Sequence, residues 1–137
     1  RDCGLLYYGC CEPLDGKIDI LRRRFKNLRK ISITPWADPR RAAESIGPDF
    51  VMAAKPNPAF VATPRFNPAP VEQEIARYCE ACKENGTTLE FVLKDISTIA
   101  NNPGTLTSWA ATVNAVIDRH YPEGSSANQE GRIREND

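Results

Sequence analysis

Four short apolar runs, each followed by a helical pattern, confine this chain to an alternation of strand and helix. Residues 5–8 run into Gly9-Cys10-Cys11-Glu12-Pro13, and residues 31–34 run into Pro35-Trp36-Ala37-Asp38. Residues 50–54 lead to Lys55-Pro56-Asn57-Pro58, and residues 89–93 lead to Lys94-Asp95. Strands linked through helices are expected to be parallel, because a parallel crossover needs a dozen or more residues and the helix supplies them. The carboxyl ends of parallel strands share one face, where the connecting loops build sites. Thiols, carboxylates, an indole, an amide and two lysines, far apart in sequence, are therefore expected at one rim.

The first run, residues 5–9, reads as a strand apolar on both faces. Pro13 suits a helix start, with Leu14, Ile18, Leu21 and Phe25 at helical spacing and Asn27 as the close. Asp38 is the expected N-cap and Pro39 the first residue of a short helix that Gly47-Pro48 stops. Prolines 56, 58, 64, 68 and 70 make residues 55–70 a long ordered loop able to act as a lid. The clearest helix spans residues 71–85, with Val71, Ile75, Tyr78 and Cys82 on one stripe and Gly86 as its stop. Residues 101–104 form a turn before a last amphipathic helix marked by Leu106, Trp109, Val113, Val116 and Ile117. Residues 1–120 thus form four β/α units, and residues 121–137 a polar tail expected to be disordered.

Crossovers of this kind are right-handed by default. Four units then give either a small open sheet or half of an eight-stranded (β/α)8 barrel. Neither G-x-G-x-x-G nor G-x-x-x-x-G-K-[ST] follows any strand, which argues against a nucleotide-binding open sheet.

Charge removes other classes. Eighteen basic residues balance eighteen acidic ones, so no electrostatic footprint for nucleic acid exists. The basic cluster Arg22-Arg23-Arg24, with Lys26, Arg29 and Lys30, sits late in a helical pattern, where cations complement the helix dipole. Neither a span of about 20 apolar residues nor a secretory signal pattern is present, so no membrane partner is expected. Five cysteines, an odd number with an adjacent pair, read as reduced thiols in a cytoplasm. The chain opens on Arg1 and its one methionine, Met52, lies within a strand, which suggests the carboxyl-terminal part of something longer.

Several residues carry chemistry. Cys10 and Cys11 point to opposite faces at a strand end, so one thiol is expected at the mouth, where Glu12 could join it on a metal. The alternative is that both cysteines are small buried hydrophobes and Glu12 stabilises a helix start. Lys94 and Asp95 form either an internal ion pair, a general acid/base, or an anchor for a substrate carboxylate. Lys55 raises the same choice, and two lysines at one mouth suggest a small anionic substrate. Trp36 is either a pocket wall or a cover of the barrel end. Asp38 reads as a cap rather than an acid. Cys79-x-x-Cys82 lies late in a helix, where packing rather than redox chemistry is expected. His120 ends the last helix as a dipole partner, and without a second histidine no Ser-His-Asp machinery can be assembled.

With Gly9-Cys10-Cys11-Glu12-Pro13, Pro35-Trp36-Ala37-Asp38, Lys55-Pro56-Asn57-Pro58 and Leu93-Lys94-Asp95-Ile96-Ser97, the chain resembles the uroporphyrinogen decarboxylase superfamily, in its branch near the corrinoid-dependent methyltransferases. The resemblance covers about residues 5–116. It implies the carboxyl-terminal half of a (β/α)8 TIM barrel, completed by a missing amino-terminal half or by a homodimer. It also implies methyl transfer between a corrinoid or methylated small molecule and an acceptor, with a corrinoid protein as partner. In that branch a His-x-Cys pair and a last-strand Cys hold zinc. Here Tyr8 takes the His position, Cys10 the Cys position, and Lys94-Asp95 replace the last Cys. Decarboxylation or another lyase reaction on a tetrapyrrole or other polycarboxylate is the second implication. The family's decarboxylases carry Asn-x-Asp-Pro where this chain has Asn57-Pro58 without the acid. A non-catalytic ligand-binding barrel is the third. The resulting roles are Glu12, Lys94 and Asp95 in catalysis, Trp36, Lys55 and Asn57 in substrate binding, and Cys10 and Cys11 on a metal.

Overall fold

The structure, a computed structural model, describes residues 4–122. The expected polar tail lies outside these residues from position 123 onward. Four strands, β1 (Leu6–Tyr8), β2 (Leu28–Ile33), β3 (Val51–Ala54) and β4 (Thr88–Phe91), alternate with helices α1 (Ile18–Arg24), α2 (Pro39–Ile46), α3 (Pro68–Asn85) and α4 (Gly104–His120). All three strand pairings are parallel, and the sheet order is the sequence order. The chain is an α/β protein, as the alternation requires.

Local chemistry sets the boundaries. Asp38 accepts hydrogen bonds from the backbone N–H groups of Arg40 and Arg41, and Pro39 opens α2, as expected. Gly86, at φ +63°, closes α3 in the left-handed conformation that lacks a Cβ penalty. Two expectations fail. Pro13 does not open α1: a turn with Lys17 N–H on the Leu14 carbonyl (2.8 Å) intervenes, and the helix starts at Ile18. Pro68 and Pro70 do not belong to the loop but to the first turn of α3, capped by Asn67. The first N–H groups of a helix have no partner within it, so prolines there cost no hydrogen bond. The remaining loop is itself partly ordered by a 3-10 turn at Pro58–Val61.

Alternation along the strands divides the sheet into two unlike faces. Ile31 and Ile33 of β2 and Met52 and Ala54 of β3 are buried with Leu14, Ile18, Ala42, Ala43, Ile46 and Tyr78, so α1, α2 and α3 all cover this face. Leu89 and Phe91 of β4 extend it to α4, through Val113 and Val116 packed on Val71, Ile75 and Cys79. Consecutive right-handed crossovers in an ordered sheet place every helix on the same side. The other face carries Tyr7, Lys30, Ser32, Ala53 and Glu90; among the described residues the helices' buried side chains cluster on the first face, although Ser32 and Ala53 are themselves buried. There Lys30 pairs with Glu90 at 2.7 Å and lies 5.5 Å from the Tyr7 ring centroid. Tyr7 is half exposed, so β1 is not apolar and buried on both faces. The face is mixed in polarity rather than apolar.

The basic cluster also acquires a structural role. The Arg22 guanidinium donates to the carbonyls of Ser45 and Ile46 at 2.9 and 3.1 Å, satisfying the end of α2, and pairs with Asp49.

Candidate functional site

At the carboxyl ends of the strands, Cys10, Cys11, Thr34, Pro35, Trp36, Lys55, Pro56, Pro58, Lys94 and Asp95 surround a cleft of about 220 Å³. Backbone pairing carries these residues there. Lys55 N–H donates to the Ile33 carbonyl (2.8 Å) and Val92 N–H to the Ala54 carbonyl (2.9 Å), extending both ladders past the strand ends. The alternation that puts Ser32 and Ala53 on the other face brings Thr34 and Lys55 to the same side. Chain segments from all four β/α units meet at this rim, as expected.

Lys55 is the most unusual group in the cleft. It is 8% exposed, and among the described residues no carboxylate lies within ion-pair distance of it. Burial first, and then the neighbouring Lys94 charge, push its ammonium below the usual lysine range; Cys11 and Asp95 partly oppose this. Lys94 behaves oppositely. Its Nζ lies 3.1 Å from the Asp95 carboxylate, whose hydrogen bond and charge raise its pKa. Asp95 adopts φ +58°, a region that aspartate tolerates better than most residues. The internal ion pair considered for Lys94 and Asp95 is thus present. Thr34 is 4% exposed, and its Oγ1 has no hydrogen-bond partner among the described residues. Trp36 is 70% exposed, a flap of the cleft wall rather than a buried cover.

Two expected members stand apart. The Glu12 carboxylate is drawn to Lys17 at 2.6 Å, outside the cleft lining, and this contact lowers its pKa. The Cys10 thiol reaches the other Glu12 oxygen at 3.7 Å. The Asn57 side chain caps the 3-10 turn through Ala59 N–H, and the residue lines a neighbouring hollow of about 630 Å³ instead. That hollow is larger, but the thiols and both lysines lie in the smaller cleft. Cys79 and Cys82 lie inside α3, away from the rim; Cys82 Sγ packs 3.7 Å from Met52 Sδ. Burial raises their thiols to about 11 and about 12, so they are inert packing groups, as their helical position implied.

Glu74 escaped the sequence reading. It is 5% exposed in α3, and both carboxylate oxygens accept the Asn57 backbone N–H, at 3.0 and 3.1 Å. Burial raises its pKa against that hydrogen bond and the Arg77 charge. The signal was available: Glu74 falls within the stripe of Val71, Ile75 and Tyr78, where a carboxylate needs a buried partner.

Zinc sites take three or four protein ligands. Among the described residues no three His, Cys, Asp or Glu side chains gather as a metal group. Of the expected metal residues, Cys10 contacts Glu12, whose other oxygen is engaged by Lys17, and Cys11 lines the cleft. No helix among them is long and apolar enough to cross a membrane. Set against protein-family models, curated proteins and solved structures, the chain finds no match in any of the three.

Proposed function

We propose that this chain is the carboxyl-terminal half of a uroporphyrinogen decarboxylase-like (β/α)8 barrel, and that its rim holds the carboxylate of a small substrate for carboxy-lyase chemistry. The barrel reading is supported by a sheet in sequence order whose described helices all pack on one face. A closed barrel hides the opposite face and removes both sheet edges. The observation that carries the function is Lys55, buried in the rim cleft beside Lys94 with no carboxylate of the described residues at ion-pair distance. A buried cation calls for a partner, and an anionic substrate supplies one. The cleft of about 220 Å³ is below the about 300–1,000 Å³ of drug-sized pockets, which favours a small acid over a tetrapyrrole.

Methyl transfer involving a corrinoid protein is the second reading, favoured by the Cys10–Glu12 contact. It requires further metal ligands from outside the described residues. Calorimetric titration of the full chain with malonate, together with zinc analysis, separates the two. Malonate binding that weakens about tenfold in Lys94→Gln, the loss of one charge-assisted hydrogen bond, supports the carboxylate reading. Absence of binding would sink it. Stoichiometric zinc that disappears in Cys10→Ser would transfer the assignment to methyl transfer.

A further inference from the structure

Lys55 and Lys94 line one cleft, yet their surroundings act on their protons in opposite directions. Lys94 is partly exposed and paired with Asp95 at 3.1 Å, which holds a proton on it. Lys55 is buried in the cleft that Thr34, Pro56 and Pro58 also line, with Lys94 as its leading charged neighbour, then Cys11 and Asp95. Burial and a neighbouring cation both ease loss of the Nζ proton, and the amine so released attacks carbonyl carbons. We propose that Lys55 is a nucleophile that condenses with the carbonyl group of a small oxo acid whose carboxylate rests on Lys94.

The proposal rests on the carboxylate reading above and extends it to a substrate class and a covalent step. The Nζ lone pair forms a C–N bond to the carbonyl carbon, and the carbonyl oxygen takes up a proton. The carbinolamine then loses water, giving a protonated imine. For a 3-oxo acid the imine accepts the electron pair released as carbon dioxide departs. The resulting enamine takes a proton, and water returns the amine and the ketone. No oxidant or metal is consumed. The Thr34 hydroxyl lies in the same wall without a hydrogen-bond partner among the described residues. Trp36 stands at the opening, where its indole can shield the imine from water.

Incubating the full chain with pyruvate and borohydride tests the step directly. The expected product is a single adduct on Lys55, located by peptide mapping, whose mass gain equals one pyruvic acid less one oxygen atom. Malonate should suppress it, and Lys94→Gln should slow it about tenfold through loss of the carboxylate contact. Lys55→Arg and Lys55→Met, with folding checked by circular dichroism, should give none. An adduct spread over surface lysines, or one persisting in a folded Lys55 variant, overturns the proposal. Malonate binding without any adduct overturns the imine and leaves the carboxylate reading standing. An adduct on Lys55 indifferent to malonate and to Lys94→Gln overturns the role of Lys94 and the carboxylate reading with it.

Discussion

At the scale of single residues, the two buried ionisable groups near the rim leave opposite signatures in stability. Lys55 has a lowered pKa in the folded chain, so folding is penalised wherever the side chain is charged. That penalty is complete below the folded pKa and fades as pH rises toward the unfolded lysine value. Lys55→Met should therefore stabilise the chain at neutral pH, with the gain shrinking in urea titrations carried into the alkaline range. A gain independent of pH would assign it to packing instead. Glu74 has a raised pKa, so the folded state holds its proton longer, and stability falls as pH rises through the window above the unfolded carboxylate value. Glu74→Gln should remove that slope while keeping an acceptor for Asn57 N–H. Glu74→Ala leaves that N–H without its partner and should cost about 1–3 kcal/mol by denaturant unfolding. Residue types at strand ends made the lysines legible in sequence. Their unlike surroundings were not, because they arise from burial of Lys55 and from Asp95 reaching back to Lys94.

Elements were legible where a cap or a stop residue marks them. Asp38-Pro39 and Gly86 gave the start of α2 and the end of α3 because each satisfies backbone groups that a helix leaves open. Asp38→Ala should cost about 1 kcal/mol in thermal or urea unfolding without altering malonate affinity, since among the described residues the carboxylate's hydrogen bonds go to Arg40 and Arg41 N–H. A loss of affinity at unchanged stability would instead place Asp38 in the site. Where proline was read by density alone, the boundaries slipped. Pro68 and Pro70 look like breakers in a list, yet at the first turn of α3 they meet no unmade hydrogen bond. The site followed the same logic. Cys10, Cys11, Trp36, Lys55, Lys94 and Asp95 reached one cleft because ladder geometry places strand ends in one layer. Glu12 and Asn57 did not, because each is one or two residues further along, where Lys17 and the 3-10 turn redirect them.

At the scale of the molecule, the one-sided packing of the described helices is the dominant feature. Leu5 is 71% exposed, Tyr7 is 48% exposed beside Lys30 of the Lys30–Glu90 pair, and among the described residues both β1 and β4 present unpaired edges. The isolated 137-residue chain is expected to self-associate or to unfold with low cooperativity, which sedimentation velocity and urea melts at several concentrations can establish. A monomer with a sharp transition would mean that these residues need no covering partner. The alternation of strand and helix made parallel order legible, but not the polarity of the opposite face, because Lys30 and Glu90 lie in different β/α units and meet only across β3. The coincidence of sheet order with sequence order also bears on how the chain acquires its structure. Each strand pairs with strands adjacent in sequence, so every ladder can close before later residues exist. During synthesis β1 and β2 could zip while β4 is still within the ribosome, and each new unit would dock on an edge already formed. The rim, by contrast, is complete only when Lys94 and Asp95 arrive, so the cleft would be the last part of the molecule to exist.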